Sequence, residues 1–317
     1  MDLSVVIPVY NEEESVRELS DWIERVCSKA GLSFEIIFVD DGSSDTSWER
    51  IKELAGKTEF VKGLRFRRNY GKAAALHTGF SESSGEVVIT MDSDLQDNPE
   101  EIPELVRMIR EDGYDLVSGW KKKRYDPFIK RSTSRIYNST ARLSSGIKLH
   151  DFNCGLKAYR SEVVKSIEVY GEMHRYIPML AREAGFRKIG EKIVEHHPRK
   201  YGVTKYGLDR FMKGYLDMLT IGFISRFGKN PMHLFGSLGT LMFVIGFGMA
   251  LYLGIRKLVF VHNHLRAPLV TDSPYFYIAL IVMVIGTLLF LTGFLGELIN
   301  RNSAERNRYL VKDKVNI

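Results

Sequence analysis

The chain has 317 residues, 44% of them hydrophobic and 26% charged, with a formal net charge of +6 and a pI near 9.1. Those figures exclude a disordered chain and leave room for one large α/β domain plus a further segment. The basic balance suits nucleic acid, an anionic membrane surface or phosphorylated substrates, so the residues must decide.

Met1-Asp2 leads straight into Leu3–Pro8, an apolar run too short for a signal-peptide core and without basic flanks, so the first domain is expected in the cytoplasm. Residues 1–120 then alternate short apolar runs with amphipathic stretches. Strands are predicted at Leu3–Ile7, Glu35–Asp40, Val61–Phe66, Val87–Met91 and Leu116–Ser118. Helices are predicted at Glu12–Ala30, Thr46–Ala55, Gly71–Ser83 and Pro99–Arg110. This alternation implies a mostly parallel sheet with helices on both faces, whose ligands bind beyond the carboxyl ends of the strands. Cys27 and Cys154 lack metal-ligand spacing and read as free thiols in a reducing compartment.

The rhythm lapses over 120–160. Lys121–Arg124 reads as a mobile surface loop drawn to anionic headgroups, followed by a helix carrying Lys130, Arg131, Arg135 and Arg142. Helix and strand signals return over 161–200. Neighbouring His196 and His197 would point to opposite faces of a strand, which disfavours a metal pair. Asp209–Phe227 has spaced basic residues among apolar ones and reads as an interfacial amphipathic helix, the alternative being an ordinary core-facing one.

Phe235–Ile255 is a charge-free stretch of 21 residues, roughly 31 Å as a helix at about 1.5 Å per residue, and Tyr275–Leu295 is a second. Both are predicted to span a bilayer. Gly236, Gly239, Gly246, Gly248 and Gly254 suit close helix packing, either within the chain or in a homo-oligomer. The connector Arg256–Pro274 holds three Lys or Arg, and the tail holds five: Arg301, Arg306, Arg308, Lys312 and Lys314. The positive-inside rule then puts both termini in the cytoplasm. The expected organisation is a catalytic domain over 1–206, an interfacial segment over 207–231, two membrane helices over 232–299 and a basic tail over 300–317.

Three predicted strand ends carry polar clusters: Pro8-Val9-Tyr10-Asn11-Glu12, Asp40-Asp41-Gly42-Ser43-Ser44-Asp45, and Asp92-Ser93-Asp94-Leu95-Gln96-Asp97. Acids crowded at one sheet edge repel unless a cation or a ligand's donors offset them. Two carboxylates one residue apart, Asp92 and Asp94, suit a hard divalent cation such as Mg²⁺ or Mn²⁺, which would neutralise a leaving diphosphate; alone, such a pair also fits a solvated turn. Asp40-Asp41-Gly42-Ser43 is also expected to be a turn whose Asp and Ser oxygens cap the helix at Thr46; that cap does not need Asp40, which could accept from a nucleotide base or ribose.

Val5–Glu12, Val39–Ser43, Arg68-Asn69-Tyr70-Gly71-Lys72 and Met91–Asp97 together resemble glycosyltransferase family 2. The similarity is to its polyprenyl-phosphate branch, which includes dolichyl-phosphate mannose synthases and GtrB-type glucosyltransferases. Asp151-Phe152-Asn153-Cys154-Gly155-Leu156-Lys157 and Arg199–Tyr206 extend the match, and the two apolar stretches complete the layout. The resemblance implies a GT-A-type fold and an inverting enzyme bound to the inner (plasma) membrane. Pro8, Tyr10, Glu12, Asp40, Lys72, Asp92 and Ser93 would bind the nucleotide-sugar, and Asp92, Asp94 and Gln96 would hold Mg²⁺ or Mn²⁺. Asp151, by its match to an Asp-x-x-x-Gly motif, would orient or deprotonate the acceptor, with Asp94 as the second catalytic group. Arg131, Ser134, Arg199 and Lys205 would meet the lipid phosphate.

The expected reaction moves a sugar, glucose from UDP-glucose as the first choice, onto polyprenyl phosphate. The segment Trp120–Lys130 departs from the mannose-synthase pattern, which weakens mannose as the sugar. Competing readings are a family 2 enzyme with another lipid or a polysaccharide acceptor, and a non-catalytic membrane carrier or scaffold. A nucleic-acid binder accounts for neither the acidic strand ends nor the apolar stretches.

Overall fold

The computed structural model describes residues 1–122, 142, 146–171, 173–198, 200–201, 231–266 and 268–301. Arg131, Ser134, Arg199, Lys205, Lys130, Arg135, the segment Asp209–Phe227 and the tail beyond Arg301 lie outside the described residues. The chain divides into two compact units, Met1–Leu219 and Thr220–Ile317.

The first unit holds a seven-stranded sheet in the order β3-β2-β1-β4-β6-β5-β7. The strands are β1 Leu3–Val9, β2 Phe34–Asp40, β3 Val61–Arg65, β4 Val87–Thr90, β5 Leu116–Trp120, β6 Lys157–Arg160 and β7 Ile189–Ile193. All run parallel except β6, which is antiparallel to β4 and β5 on either side of it. The carboxyl ends of the parallel strands and the start of β6 therefore share one edge. Strands β1 and β2 are almost continuously buried because helices cover both faces of the sheet.

The helices are α1 Val16–Lys29, α2 Ser47–Lys57, α3 Lys72–Glu82, α4 Ile102–Arg110, α5 Ser161–Ser166 and α6 Ile177–Glu183. Helix α1 buries Val16, Leu19, Ile23 and Val26, and α4 buries Ile102, Leu105, Val106 and Ile109, each one apolar stripe at helical spacing. Both stripes join the core formed by β1, β2 and β4, where each buried Leu, Ile or Val contributes about 1.5–3 kcal/mol. Helix α3 approaches more closely, since a Cβ at Gly79 would fall 2.3 Å from Val6 Cγ1. The thiols of Cys27 and Cys154 are free and buried, and burial pushes both up to about 12.

Two expectations change here. Helix α1 begins at Val16, because the backbone N–H groups of Asn11 and Glu12 are taken by the Ser43 and Ser47 hydroxyls, each at 2.9 Å. Strand β6 falls in a segment that shows no strand rhythm of its own. Its four residues pair with β4 and β5, chain segments more than 35 residues away, so its cause is not local.

Pro8 explains where the sheet opens. Val6 accepts from Met91 on the β4 side, while Val9 accepts from Asp41 on the β2 side. By alternation Pro8 faces β4, beyond the last β1–β4 pair, Val6 with Thr90. A residue without an N–H costs nothing where the ladder has ended. The crevice between the ends of β1 and β4 is the switch point at which open sheets of this kind bind ligands.

The second unit is an antiparallel helix pair, α7 Pro231–His262 and α8 Pro274–Arg301, joined through a short 3₁₀ turn at Val270–Asp272. Both helices are long and apolar enough to cross a bilayer, and large side chains such as Leu241, Phe247, Ile281 and Leu288 stand exposed. Their contact follows a seven-residue interval: Gly239 and Gly246 on α7 lie against Gly286 and Ala279 on α8, and Gly293 lies against Gly236. A Cβ at Gly239 would lie 2.5 Å from the Gly286 carbonyl oxygen. Gly248 and Gly254 face open space, so they take no part in this contact.

Candidate active site

The loops after β1 and β2 are laced together. Asn11 has a φ of 52°, and its side-chain oxygen accepts from Ser44 N–H at 2.8 Å. Tyr10 beside it, just past the end of β1, is 38% exposed. Asp40 is fully buried; it accepts from Ser43 N–H at 2.9 Å and lies 3.2 Å from Arg65 Nε. Asp41 accepts from the N–H groups of Tyr70 and Gly71 at 2.7 and 2.9 Å, yet burial outweighs those donors and pushes its carboxyl up. Gly42 has a φ of +73°, and a Cβ there would fall 2.5 Å from the Arg68 carbonyl carbon. The loop carrying Arg68–Gly71 is thus seated directly on the β2 loop.

The expected helix cap is corrected. Thr46 gives its N–H to Glu13 Oε2 at 2.9 Å, and Ser47 gives its N–H to Asp45 Oδ1 at 3.0 Å. Asp41 is spent on the 70–71 backbone instead, because the close approach at Gly42 brings those donors within reach.

The acidic cluster after β4 carries most of the site's charge. Asp92 forms an ion pair with Lys72, the first residue of α3. Its backbone N–H donates to Asp97 Oδ2 at 3.2 Å. Asp94 accepts from the backbone N–H of Gln96 at 3.2 Å, and Leu95 between them holds a φ of 59°. Asp97 is fully buried, with Lys121 Nζ 2.7 Å from its Oδ1. Burial raises Asp92, but Lys72 first and then Lys121 outweigh it and hold the carboxyl down at about 2. Burial likewise lowers Lys121, and Asp97 with Asp92 more than reverse this. Lys157, buried behind them and bonded to the Cys154 carbonyl, is pushed down by its burial.

Lys121 therefore does not belong to a surface loop. Only 12% of its side chain is exposed, and its partner is the buried Asp97 rather than a lipid. Lys122 lies 5.9 Å from the Trp120 ring, and residues 123–124 lie outside the described residues.

The loop before β6 closes the other side. Asp151 is 1% exposed. Its carboxylate accepts from Asn153 N–H at 3.1 Å, its N–H donates to Glu191 Oε1 at 3.1 Å, and its carbonyl accepts from the Ser118 hydroxyl at 3.2 Å. Four residues on, Gly155 touches Asp92, and its carbonyl accepts from the Thr90 hydroxyl at 2.8 Å. The Asp151–Gly155 loop thus joins β5 and β7 to the end of β4.

The structure brings Tyr10, Glu12, Asp40, Lys72, Asp92, Ser93, Asp94 and Asp151 to this one edge through the strands and loops that carry them. The Gln96 side chain donates to the His197 carbonyl at 3.4 Å, and the Gln96 carbonyl accepts from His197 N–H at 2.9 Å. Among the described residues no cluster of three or more His, Cys, Asp or Glu side chains forms a complete cage. Asp92 and Asp94 offer carboxylate oxygens of the kind a hard divalent cation takes, and they are the residues that would hold one. The Lys72 ammonium on Asp92 marks where positive charge is favoured. Sequence reasoning missed Asp97 with Lys121, and Glu191 with His150. Asp97 lay in a quoted motif, but nothing local pointed to its partner.

Residues 4–168 match the family model "Glycosyl transferase family 2". The chain is 34% identical over 304 residues to a dodecaprenyl-phosphate galacturonate synthase of Rhizobium johnstonii, covering 95% of this chain and 88% of that protein. It is 37% identical over 301 residues to an undecaprenyl-phosphate 4-deoxy-4-formamido-L-arabinose transferase of Pseudomonas aeruginosa, covering 94% and 85%. Among solved structures it resembles glucosyl-3-phosphoglycerate synthase from Mycobacterium tuberculosis in complex with Mn²⁺ and UDP-glucose. That likeness has a TM-score of 0.54 at 20% identity, covers 71% of this chain and 78% of that one, and concerns the fold. The chain belongs to glycosyl transferase family 2.

Proposed function

We propose that this family 2 glycosyltransferase moves a sugar from a nucleotide-sugar to the phosphate of a polyprenyl phosphate, inverting the anomeric carbon. The observation that carries the reading is the contact of Gly155 with Asp92. It brings the Asp92 carboxylate against the Asp151–Gly155 loop, which supports a shared site for donor and acceptor. The whole-length relatives named for polyprenyl-phosphate products support the acceptor.

In this reading Asp40 and Tyr10 receive the nucleoside. Asp92 and Asp94 would hold a divalent cation, which would supply positive charge for the departing diphosphate. Lys72, already at Asp92, supplies a second positive charge within reach of the same diphosphate. Asp151, fixed by Ser118 and Glu191, orients the acceptor. A phosphate oxygen of the lipid attacks the anomeric carbon in line, the bond to the nucleoside diphosphate breaks, and the configuration inverts. The lipid phosphate is anionic near neutral pH, so the step asks little of a general base.

Helices α7 and α8 as membrane spans suit a lipid acceptor, and the positive-inside bias favours a cytoplasmic catalytic unit at the plasma membrane. Glucose from UDP-glucose heads the donor panel. Nucleotide-activated galacturonate and 4-deoxy-4-formamido-L-arabinose stand beside it, since the relatives are named for those sugars.

The test is transfer of radiolabelled sugar from that panel into organic-extractable polyprenyl phosphate, with Mg²⁺, with Mn²⁺ and with chelator. Lipid-phase label that chelator abolishes, and that falls by about 10²–10³ in Asp94→Asn, is the expected result. Label reaching no polyprenyl phosphate from any donor would overturn the acceptor.

A further inference from the structure

His150 stands immediately before Asp151, and three contacts fix it. Its ring stacks on Trp120 with centroids 4.1 Å apart and planes 13° from parallel. Its Nδ1 lies 2.6 Å from Glu191 Oε2, and its backbone N–H donates to Glu191 Oε1 at 2.7 Å. The same Oε1 accepts from Asp151 N–H at 3.1 Å. One carboxylate, whose side chain is 11% exposed, therefore holds the backbone of both residues and the ring of the first.

An ionised carboxylate only accepts, so Nδ1 carries the hydrogen and Nε2 is left for another partner. The imidazole itself is 52% exposed. Trp120 ends β5, and the next residue, Lys121, pairs with Asp97 in the acidic loop after β4. Only β6 separates β5 from β4 in the sheet, so His150 lies on the same sheet edge as that loop.

We infer that His150 Nε2 is a contact for the acceptor's phosphate monoester, with Glu191 and Trp120 as its positioning residues. The inference rests on the transfer reading above. A monoanionic phosphate brings one proton on oxygen. That proton is shared with Nε2 on binding, which leaves the attacking oxygens with their full negative charge and places the positive charge of the ring beside them. After transfer the phosphate is a diester with a single charge, and the proton leaves with the products. The contact also balances Asp151, which by itself would repel a phosphate.

The experiment compares wild type, His150→Phe, His150→Gln and Glu191→Ala as full-length protein in detergent. Steady-state transfer is measured against separately varied donor and polyprenyl phosphate, and calorimetry follows binding of a short-chain prenyl phosphate and of the nucleoside diphosphate. Phenylalanine keeps the stack on Trp120 and removes both nitrogens. The expected result is a rise of about tenfold or more in KM for the lipid with Phe, as for a lost charge-assisted hydrogen bond. Gln should recover part of the loss, Glu191→Ala should show a similar rise, and donor KM and nucleotide affinity should stay within about twofold. Unchanged lipid KM with Phe, or a rise in donor KM instead, overturns the inference. If the wild type glycosylates no polyprenyl phosphate, the transfer reading itself has failed, which is a separate outcome.

Discussion

Gly155 and Asp92 are in contact across 63 positions of sequence: a Cβ on the glycine would fall 2.5 Å from Asp92 Oδ2 and 2.7 Å from its Cγ. Asp92 has little freedom to retreat, because Lys72 holds its carboxylate and Asp97 holds its N–H. Gly155→Ala is therefore expected to turn the Asp92 side chain out of place. Overpacking of this size costs roughly 1–3 kcal/mol. Misplacement by about 1 Å at a reacting centre costs on the order of 10²-fold in rate. Transfer should fall about a hundredfold while the unfolding midpoint drops by only a few degrees. Near-wild-type transfer would mean that Asp92 needs no fixed place.

The Asp97–Lys121 pair makes a second prediction. Both side chains are nearly or fully buried, so removing one charge strands the other. Lys121→Met should destabilise the protein by about 3–5 kcal/mol, as for a broken buried pair. Lys122→Ala, the adjacent residue of the same basic run, should stay within about 0.5 kcal/mol, as surface substitutions do. Thermal unfolding followed by tryptophan fluorescence in detergent separates the two. Equal, small effects would return Lys121 to the surface.

That pair also marks the limit of what the sequence disclosed. The parallel half of the sheet was readable because β1, β2 and β4 are apolar runs ending in polar clusters, and each cluster lies at the edge where the fold puts it. Asp40, Asp92 and Asp94 were placed at that edge for that reason. Lys121 was misjudged because three of its four-residue run are lysines, and composition says nothing of a carboxylate waiting 24 residues back. Strand β6 escaped because Lys157-Ala158-Tyr159-Arg160 has no alternation of its own. Its pairing comes from the strands on either side. Glu191 escaped for the same kind of reason: its partners, His150 and Asp151, are 40 residues away.

The helix pair predicts an asymmetry among glycines that look alike in sequence. Gly239 meets the Gly286 carbonyl and the Phe290 backbone, whereas nothing lies within 4 Å of a Cβ at Gly248. Gly239→Leu should push α7 and α8 apart, since backbone cannot yield as a side-chain tip does. Gly248→Leu should be neutral. Thermal unfolding in detergent reports the loss of that packing. The midpoint should drop by several degrees with Gly239→Leu and hold with Gly248→Leu. Equal midpoints would mean the small residues do not set the spacing.

Glu35 gives a pH signature separate from the active site. Its side chain is 1% exposed and accepts from the Ser4 hydroxyl at 2.5 Å, from Ser84 N–H at 2.7 Å and from the Ser84 hydroxyl at 2.8 Å. Lys62 Nζ lies 2.6 Å from its other oxygen. Burial raises the carboxyl, and these donors, Lys62 foremost, overcome it and bring it from 4.5 to about 2. Between those values the unfolded chain binds more protons than the folded one, so stability rises with pH. The contribution is fully present above pH 4.5 and is lost as pH falls through about 2. Its ceiling is about 3 kcal/mol at about 1.36 kcal/mol per unit. Glu35→Gln should lower the unfolding midpoint at neutral pH and flatten its fall between about pH 5 and pH 2 relative to wild type. The measurement is the midpoint against pH for both proteins. Parallel curves would mean that the carboxylate at the start of β2 carries no net charge-dependent stability, and the Ser4–Glu35–Ser84 bonds would then act only as neutral hydrogen bonds that join β1, β2 and the end of α3.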